Sequence, residues 1–309
     1  MKKCYTVAGL FFGDESKGSC VDWLVRNTDS DLIVKYSGGC QAAHNVVDEN
    51  GRFTFSQIGA NLARPIPTYL WRNFIVDPLA MLNEAEALQE FLGGEDPLKN
   101  VYVHPYCPIV MPEHIEQSRK DVLNHGTCGR GIGACRHKSR TEEHITALDI
   151  IDGDYSLPER VREWTSRVYI QRQPPEFKTA IFEGSQGILL DESVGFHPHT
   201  TWSTVRFDAA HACYRHLGIG QHLNIGCIRT YMTRHGNGPL PTEAKLGLKD
   251  VGNPTNKYQG EMRYGYFDEV LFKYALANAG DKVDYIALSH CDETQKYVCK
   301  EYFGDGKVI

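Results

Sequence analysis

The segment Gly13-Asp14-Glu15-Ser16-Lys17-Gly18 follows directly on an apolar run from Tyr5 to Phe12. A strand that empties into a glycine-flanked turn and then a helix gathers backbone N–H groups at one point. The helix N-terminus adds positive potential there, so the segment suits an anion. Lys17 adds a mobile cation fit for phosphate. Asp14 and Glu15 are odd company for a phosphate unless a metal or a proton transfer is involved. The turn therefore points to chemistry on a phosphate rather than to simple holding of one. The order Lys17-Gly18-Ser19 does not satisfy the Walker pattern Gly-x4-Gly-Lys-Ser/Thr. Alone, the turn is also compatible with an ordinary βα connection.

Four further glycine-rich segments carry polar groups. Gly38-Gly39-Cys40-Gln41-Ala42-Ala43-His44 follows the strand-like run 31–36, and its small residues allow a ligand close to the backbone. A lone His44 is as compatible with packing as with catalysis. The segment from Gly126 to Gly133 sets four glycines and Thr127 around Arg130, a composition suited to phosphate or to a plain solvent loop. Glu183-Gly184-Ser185-Gln186-Gly187 follows a strand at 179–182, the end at which open α/β sheets gather ligands. Thr233 to Glu243 is a rigid Gly/Pro loop carrying charge. Each is weak alone; five in one chain are hard to dismiss.

The elements that must position these loops alternate. Short apolar runs at 31–36, 74–76, 101–104, 179–182 and 285–288 predict strands. Pro78 to Leu92 has helical apolar spacing with proline in its first turn. Phe267 to Ala279 predicts a second helix, stopped by Gly280. The loops are expected at 236–241 and 252–260. The alternation predicts an α/β fold with a largely parallel central sheet flanked by helices. The 309 residues, 41% hydrophobic and 23% charged, are enough to bury a core. A net charge of -6 argues against nucleic-acid binding. No segment has the length of a membrane span, and the polar start Met1-Lys2-Lys3 lacks a signal-peptide core, so a cytoplasmic setting is expected. Ten cysteines include no Cys-x2-Cys pair, so neither a cysteine zinc site nor a disulfide framework is expected.

In this order the five segments resemble the adenylosuccinate synthetases. GDESKG at 13–18 matches the family's GDEGKG and GGCQAAH at 38–44 its GGxNAGH. GTCGRGIG at 126–133 matches GTTGRGIG, FEGSQGILLD at 182–191 matches FEGAQGxLLD, and TRHGNGPLPTE at 233–243 matches TRxGxGPxPTE. The resemblance spans roughly residues 5–292. It implies one catalytic domain over 1–309, without the C-terminal segment usual in the cellular enzymes. It further implies a ligase that joins L-aspartate to C6 of a purine nucleotide. An NTP phosphorylates O6, making it a leaving group that the aspartate amine displaces.

The resemblance also assigns residues. Asp14 takes the N1 proton and, with Ala43, lies at the Mg²⁺ position. His44 donates to O6 or to the transferring phosphoryl group, Lys17 stabilises that group, and Gln186 contacts the C6 oxygen. The nucleotide substrate falls to Gln41, Thr127, Cys128, Arg140, Thr201 and Ser16. The triphosphate, GTP or ATP with a lean to GTP, falls to Gly13, Glu15, Lys17, Gly18 and Asp292. Arg140 stands near an arginine that the family supplies from a partner subunit, which implies a homodimer; Arg136 is its rival. Ser16 replaces a glycine and either touches the purine 2-substituent or caps the following helix.

Departures narrow the reading. The family's aspartate loop reads TTGRxRRxG, whereas here Tyr258 to Gly265 keeps only Arg263. One of the lost arginines contacts the ribose 2′-hydroxyl. Together with the short length, QAAHNVV at 41–47 and FTFSQIGA at 53–60, this resembles the phage branch that joins aspartate to dGMP in a diaminopurine pathway, which would place the protein in host cytoplasm. Asp14 cuts the other way, because the phage pattern has serine there. The expected activity is thus a dGMP–aspartate ligase. The alternatives are an ordinary IMP enzyme and a non-catalytic nucleotide sensor.

Overall fold

The computed structural model describes residues 1–125, 129–141, 144–152, 159–248 and 260–302. Thr127 and Cys128 lie outside them, as does most of the loop expected at 252–260. The strands are β1 (Lys2–Gly9), β2 (Leu32–Lys35), β3 (His44–Asp48), β4 (Gly51–Phe55), β5 (Thr68–Leu70), β6 (Val101–Val103) and β7 (Tyr169–Ile170). β8 (Thr179–Gly187), β9 (Ile219–Arg229), β10 (Met232–His235), β11 (Met262–Gly265), β12 (Phe267–Asp268), β13 (Tyr285–Ser289) and β14 (Val298–Cys299) follow. The helices used below are α1 (Lys17–Asn27), α2 (Pro78–Leu92), α3 (Pro112–His125), α4 (Ile132–Thr141), α5 (Ala147–Asp152), α6 (Glu159–Arg167), α7 (His211–Leu217) and α8 (Glu269–Ala277).

Eight strands form one sheet in the order β13-β9-β1-β8-β2-β5-β6-β7. Every pairing in it is parallel. Its central strands are buried on both faces, which is why β2 reads Leu-Ile-Val with no polar alternation. Period two then divides them. Ile33 packs with Val21, Leu24 and Met81 of α1 and α2. Leu32 and Val34 pack with Cys213, Tyr214 and Leu217 of α7. A third cluster joins Leu10 and Phe11 to Leu271 and Ala275 of α8.

The expected α/β architecture is therefore present. α2 spans the range anticipated; Asp77 Oδ1 accepts from the Ala80 amide at 3.0 Å, and Gly93 ends the helix at φ 62°. The strand expected at 74–76 is a correction. Phe74, Ile75 and Val76 are fully buried, but Ile75 and Val76 form only isolated bridges, and the ladder strand is Thr68–Leu70 instead. An apolar run marks burial, not pairing, and Pro65 and Pro67 disguised the strand that follows them. β9, with its polar start, was also not anticipated.

Candidate active site

Strands β1, β8 and β2 are neighbours in the sheet; glycine motifs follow β1 and β2, while the motif expected after a strand at 179–182 forms the last five residues of β8 itself, because the strand runs on to Gly187. The register between β1 and β8 is interrupted. Val7 pairs with Glu183, while Gly9 pairs with Gly187, so Gly184, Ser185 and Gln186 lie in an irregularity of the ladder. Such bulges re-aim side chains beside functional sites.

Close contacts knit the loops together. A Cβ on Gly187 would stand 2.7 Å from the Gly13 nitrogen, and one on Gly18 would stand 2.8 Å from His44 Cβ. Only glycine lets backbones approach this closely. Ser185 donates to the Ser37 carbonyl, and Arg130 Nη1 donates to the Cys40 carbonyl at 2.9 Å. Asp14 Oδ2 lies 3.6 Å from His235 Nε2, and Arg229 Nε donates to the Asp14 carbonyl. All five motifs therefore contribute to one region at the C-terminal edge of the sheet.

Its core is a buried charge cluster. Glu183 and Lys35 are fully buried, and Lys35 Nζ donates to Glu183 Oε1 at 3.1 Å. His44 Nδ1 bonds the same oxygen, and the Ala60 amide donates to Oε2 at 3.1 Å. Burial alone would raise the Glu183 pKa, but Lys35 and His44 outweigh it and bring it to about 2. Burial lowers the pKa of His44 against the pull of Glu183. A neutral imidazole thus donates Nδ1–H to an ionised carboxylate, which leaves Nε2 with a lone pair. His44 Nε2, Gln186 Oε1, Gln41 Oε1 and His235 Nε2 are buried without hydrogen-bond partners. Buried polar atoms are rarely left so, and four of them on the motif loops are what a polar ligand would satisfy.

In the opening turn, Glu15 is buried and accepts from the Gly13 amide at 2.7 Å. Lys17 Nζ, also buried, donates to Glu15 Oε2 at 3.4 Å and to the Gly13 carbonyl at 3.3 Å. Burial pushes the Glu15 carboxyl up to about 7 although Lys17 pulls it down. This fixes the sign of a pH effect. Glu15 contributes stability that is full below its ordinary value of 4.5 and is lost as pH rises toward 7. Glu183 acts in the other window, its contribution being present above 4.5 and lost as pH falls toward 2. Glu15→Gln should therefore flatten the pH–stability curve between about pH 4.5 and 7. Urea unfolding across pH checks this; an unchanged slope in that window would refute it.

Ser16 stands at the N-cap of α1 at φ 61°, ψ 31°, with no side-chain capping bond. The left-handed conformation costs a non-glycine residue about 1–2 kcal/mol. Ser16→Gly should therefore stabilise the protein by about 1 kcal/mol or less, after the added chain entropy of glycine. Thermal unfolding reads this, and a loss of stability would contradict it.

The other anticipated residues are placed as follows. Thr201 is half-buried, its amide donating to the Leu190 carbonyl at 2.8 Å. Ala43 is exposed immediately before His44, and Asp292 is exposed in the turn after β13. Arg140 forms a two-pronged pair with Glu192 at 2.5 and 2.8 Å. Arg136 is buried, donates to the Asn73 carbonyl and leaves Nε unpartnered beside a cavity of about 430 Å³ that Arg140 also lines. Arg263 is held by Glu243 at 3.0 and 2.5 Å and by the Gly236 and Gly238 carbonyls at 2.8 Å each. Sequence reasoning did not single out Glu183, Lys35, Arg229 or His235 as site residues. Glu183 and His235 had a signal, since each stands within a quoted motif.

The family model for adenylosuccinate synthetase matches residues 6–173 and 165–309. The adenylosuccinate synthetase of Thermoplasma acidophilum is 28% identical over 99% of this chain and 80% of its own length. That of Wolbachia pipientis is 28% identical over 98% and 81%. Among solved structures, fully ligated adenylosuccinate synthetase from Plasmodium falciparum superposes with a TM-score of 0.78 at 18% identity, covering 99% of this chain and 82% of that one. The succinoaminodeoxyadenylate synthetase of cyanophage S-2L, bound to dGMP and dATP, gives 0.75 at 20% identity, covering 93% and 84%. No helix among the described residues is long and apolar enough to cross a membrane. A parallel sheet whose five motif loops meet around a buried Lys35–Glu183–His44 cluster, matched along nearly its whole length, makes this chain a nucleotide-binding, carbon–nitrogen-bond-forming ligase of purine biosynthesis that belongs to the adenylosuccinate synthetase family.

Proposed function

We propose that the chain joins L-aspartate to C6 of dGMP, with a nucleoside triphosphate as phosphoryl donor, to give N6-succino-2-amino-2′-deoxyadenylate. The observation that carries the substrate is Arg263. It is the one arginine left in the 258–265 segment, and its guanidinium is spent on Glu243 and two loop carbonyls. That segment therefore has no arginine at liberty for a ribose 2′-hydroxyl, which suits a deoxynucleotide. The cyanophage structure that binds dGMP and dATP lends support through its shared fold. The retained Asp14 and the cellular relatives favour IMP as the second reading.

In the proposed reaction Asp14 takes the N1 proton while O6 attacks the γ-phosphorus and the diphosphate leaves. The unpartnered His44 Nε2, once protonated, donates to O6 or to the transferring group, and the Gln186 side-chain NH2 is assigned to donate to the C6 oxygen. His44 begins neutral, and an incoming anion beside Nε2 raises its pKa, so the substrate itself brings on the proton to be donated. Lys17 offsets charge on the phosphoryl group. The aspartate amine then attacks C6 and phosphate departs. A hard oxygen donor such as the Asp14 carboxylate, with the Ala43 carbonyl, fits Mg²⁺. When bound, that ion offsets charge on the phosphates. Gln41, Thr201 and Ser16, with Thr127 and Cys128, are assigned to the monophosphate substrate. Gly13, Glu15, Gly18 and Asp292 are assigned to the triphosphate. For a phosphate to reach the Gly13 amide and Lys17, Glu15 must yield its bonds to them.

A sensor without activity is disfavoured, because it has no need of a buried carboxylate–imidazole pair. Assay of product from dGMP, GMP, IMP and dIMP with aspartate, Mg²⁺ and either GTP or ATP tests the proposal. Turnover of dGMP well above IMP is expected, and product from IMP alone would refute it. Arginine donation across a homodimer is tested by mixing inactive Asp14→Ala and Arg140→Leu proteins. Recovered activity supports it, and none recovered removes Arg140 from that role.

A further inference from the structure

We propose that His211, His222 and Asp281 form a binding site for a divalent transition-metal ion, away from the catalytic turn. His211 begins α7, His222 lies in the first half of β9, and Asp281 lies between α8 and β13. The Nε2 atoms of His211 and His222 stand 2.9 and 3.0 Å from the same oxygen, Asp281 Oδ2. The three ligand atoms all lie within 4.8 Å of one another.

The donors are of the right kind. Two imidazoles and a carboxylate suit Zn²⁺, Co²⁺ or Ni²⁺ rather than Mg²⁺, and three protein ligands leave a place for water. Zinc takes nitrogen and carboxylate oxygen at about 2.0–2.2 Å, so a tetrahedral ion would need the present N···O separations to open by only a few tenths of an ångström. The ligands are also oriented from behind. The Lys282 amide donates to Asp281 Oδ1 at 2.7 Å, which leaves Oδ2 for the imidazoles. The Tyr214 ring stacks on His222 with centroids 5.0 Å apart and stands 5.5 Å from His211. Supports of this sort are what fix metal-binding histidines.

Access is open, since the three side chains are between 24% and 38% exposed. The site is separate from the proposed Mg²⁺ position. Arg229, which contacts Asp14, ends the same strand that carries His222, roughly 20 Å further along at about 3.3 Å per residue. An ion here would clip α7, β9 and the approach to β13 together, a structural role rather than a catalytic one. The cysteine spacing held no sign of it because no cysteine takes part.

The chelator-stripped full chain is titrated with Zn²⁺ and with Co²⁺, beside His211→Gln and His222→Gln. Wild type should bind one more equivalent than either variant, or bind it at least about 100-fold more tightly. Both variants should keep ligase activity, which shows that they fold. Equal binding by all three proteins, or none by wild type at micromolar Zn²⁺, would overturn the site. X-ray absorption of the zinc-loaded wild type gives an answer even if a variant misfolds. A shell of nitrogen and oxygen supports the proposal, and sulfur in the shell overturns it.

Discussion

Asp14→Asn is expected to lower kcat by about 10²–10⁴-fold, the range over which a positioned general base accelerates proton transfer. Substrate affinity and stability should change little. The Asp14 side chain is 23% exposed, and His235 Nε2 stands 3.6 Å away, so the amide changes no packed volume and leaves no fully buried charge behind. Asp14→Ala should behave alike, losing turnover and keeping nucleotide binding. Steady-state kinetics with equilibrium dialysis of the monophosphate separates the two effects. Wild-type kcat in either variant would end the assignment of Asp14 as the base.

Glu183→Gln should damage both stability and turnover, for different reasons. Lys35 is fully buried with Glu183 as its ion-pair partner, so removing that charge leaves a buried ammonium uncompensated, at about 3–5 kcal/mol. The same change replaces the anionic acceptor of His44 Nδ1 by a neutral amide that can present either an oxygen or an NH2, so it no longer fixes the tautomer or stabilises the protonated imidazole, and kcat should fall further than KM rises. A second variant divides the two. Lys35→Met in the Glu183→Gln background removes the orphaned charge, so most of the stability should return while kcat stays low. Return of activity with stability would show that Glu183 serves the fold alone and does not position His44.

The sequence was most legible where local chemistry dictates local structure. Proline at N1 and a glycine stop bounded α2 without help from the rest of the chain. The buried strand β2 announced itself as an unbroken apolar run. Legibility failed where burial and pairing part company. Residues 74–76 are apolar because they are packed, yet the hydrogen-bonded ladder runs through Thr68–Leu70 behind two prolines.

The candidate site divides in the same way. The five motifs, and with them Asp14, Lys17, His44 and Gln186, were written in residue types and short spacings, because a turn's capacity for an anion depends on a handful of neighbouring residues. Which other groups meet them was not written there. Glu183 and Lys35 are 148 residues apart and become partners only because β8 inserts beside β2. Arg229 reaches Asp14 across 215 residues because β9 flanks β1. The charge state of His44, the engagement of Lys17 by Glu15 and the capture of Arg263 by Glu243 follow from burial and from that strand order. Desolvation and Coulomb interaction depend on distance in space, and strand order in a parallel sheet is settled by long crossovers that no local spacing encodes.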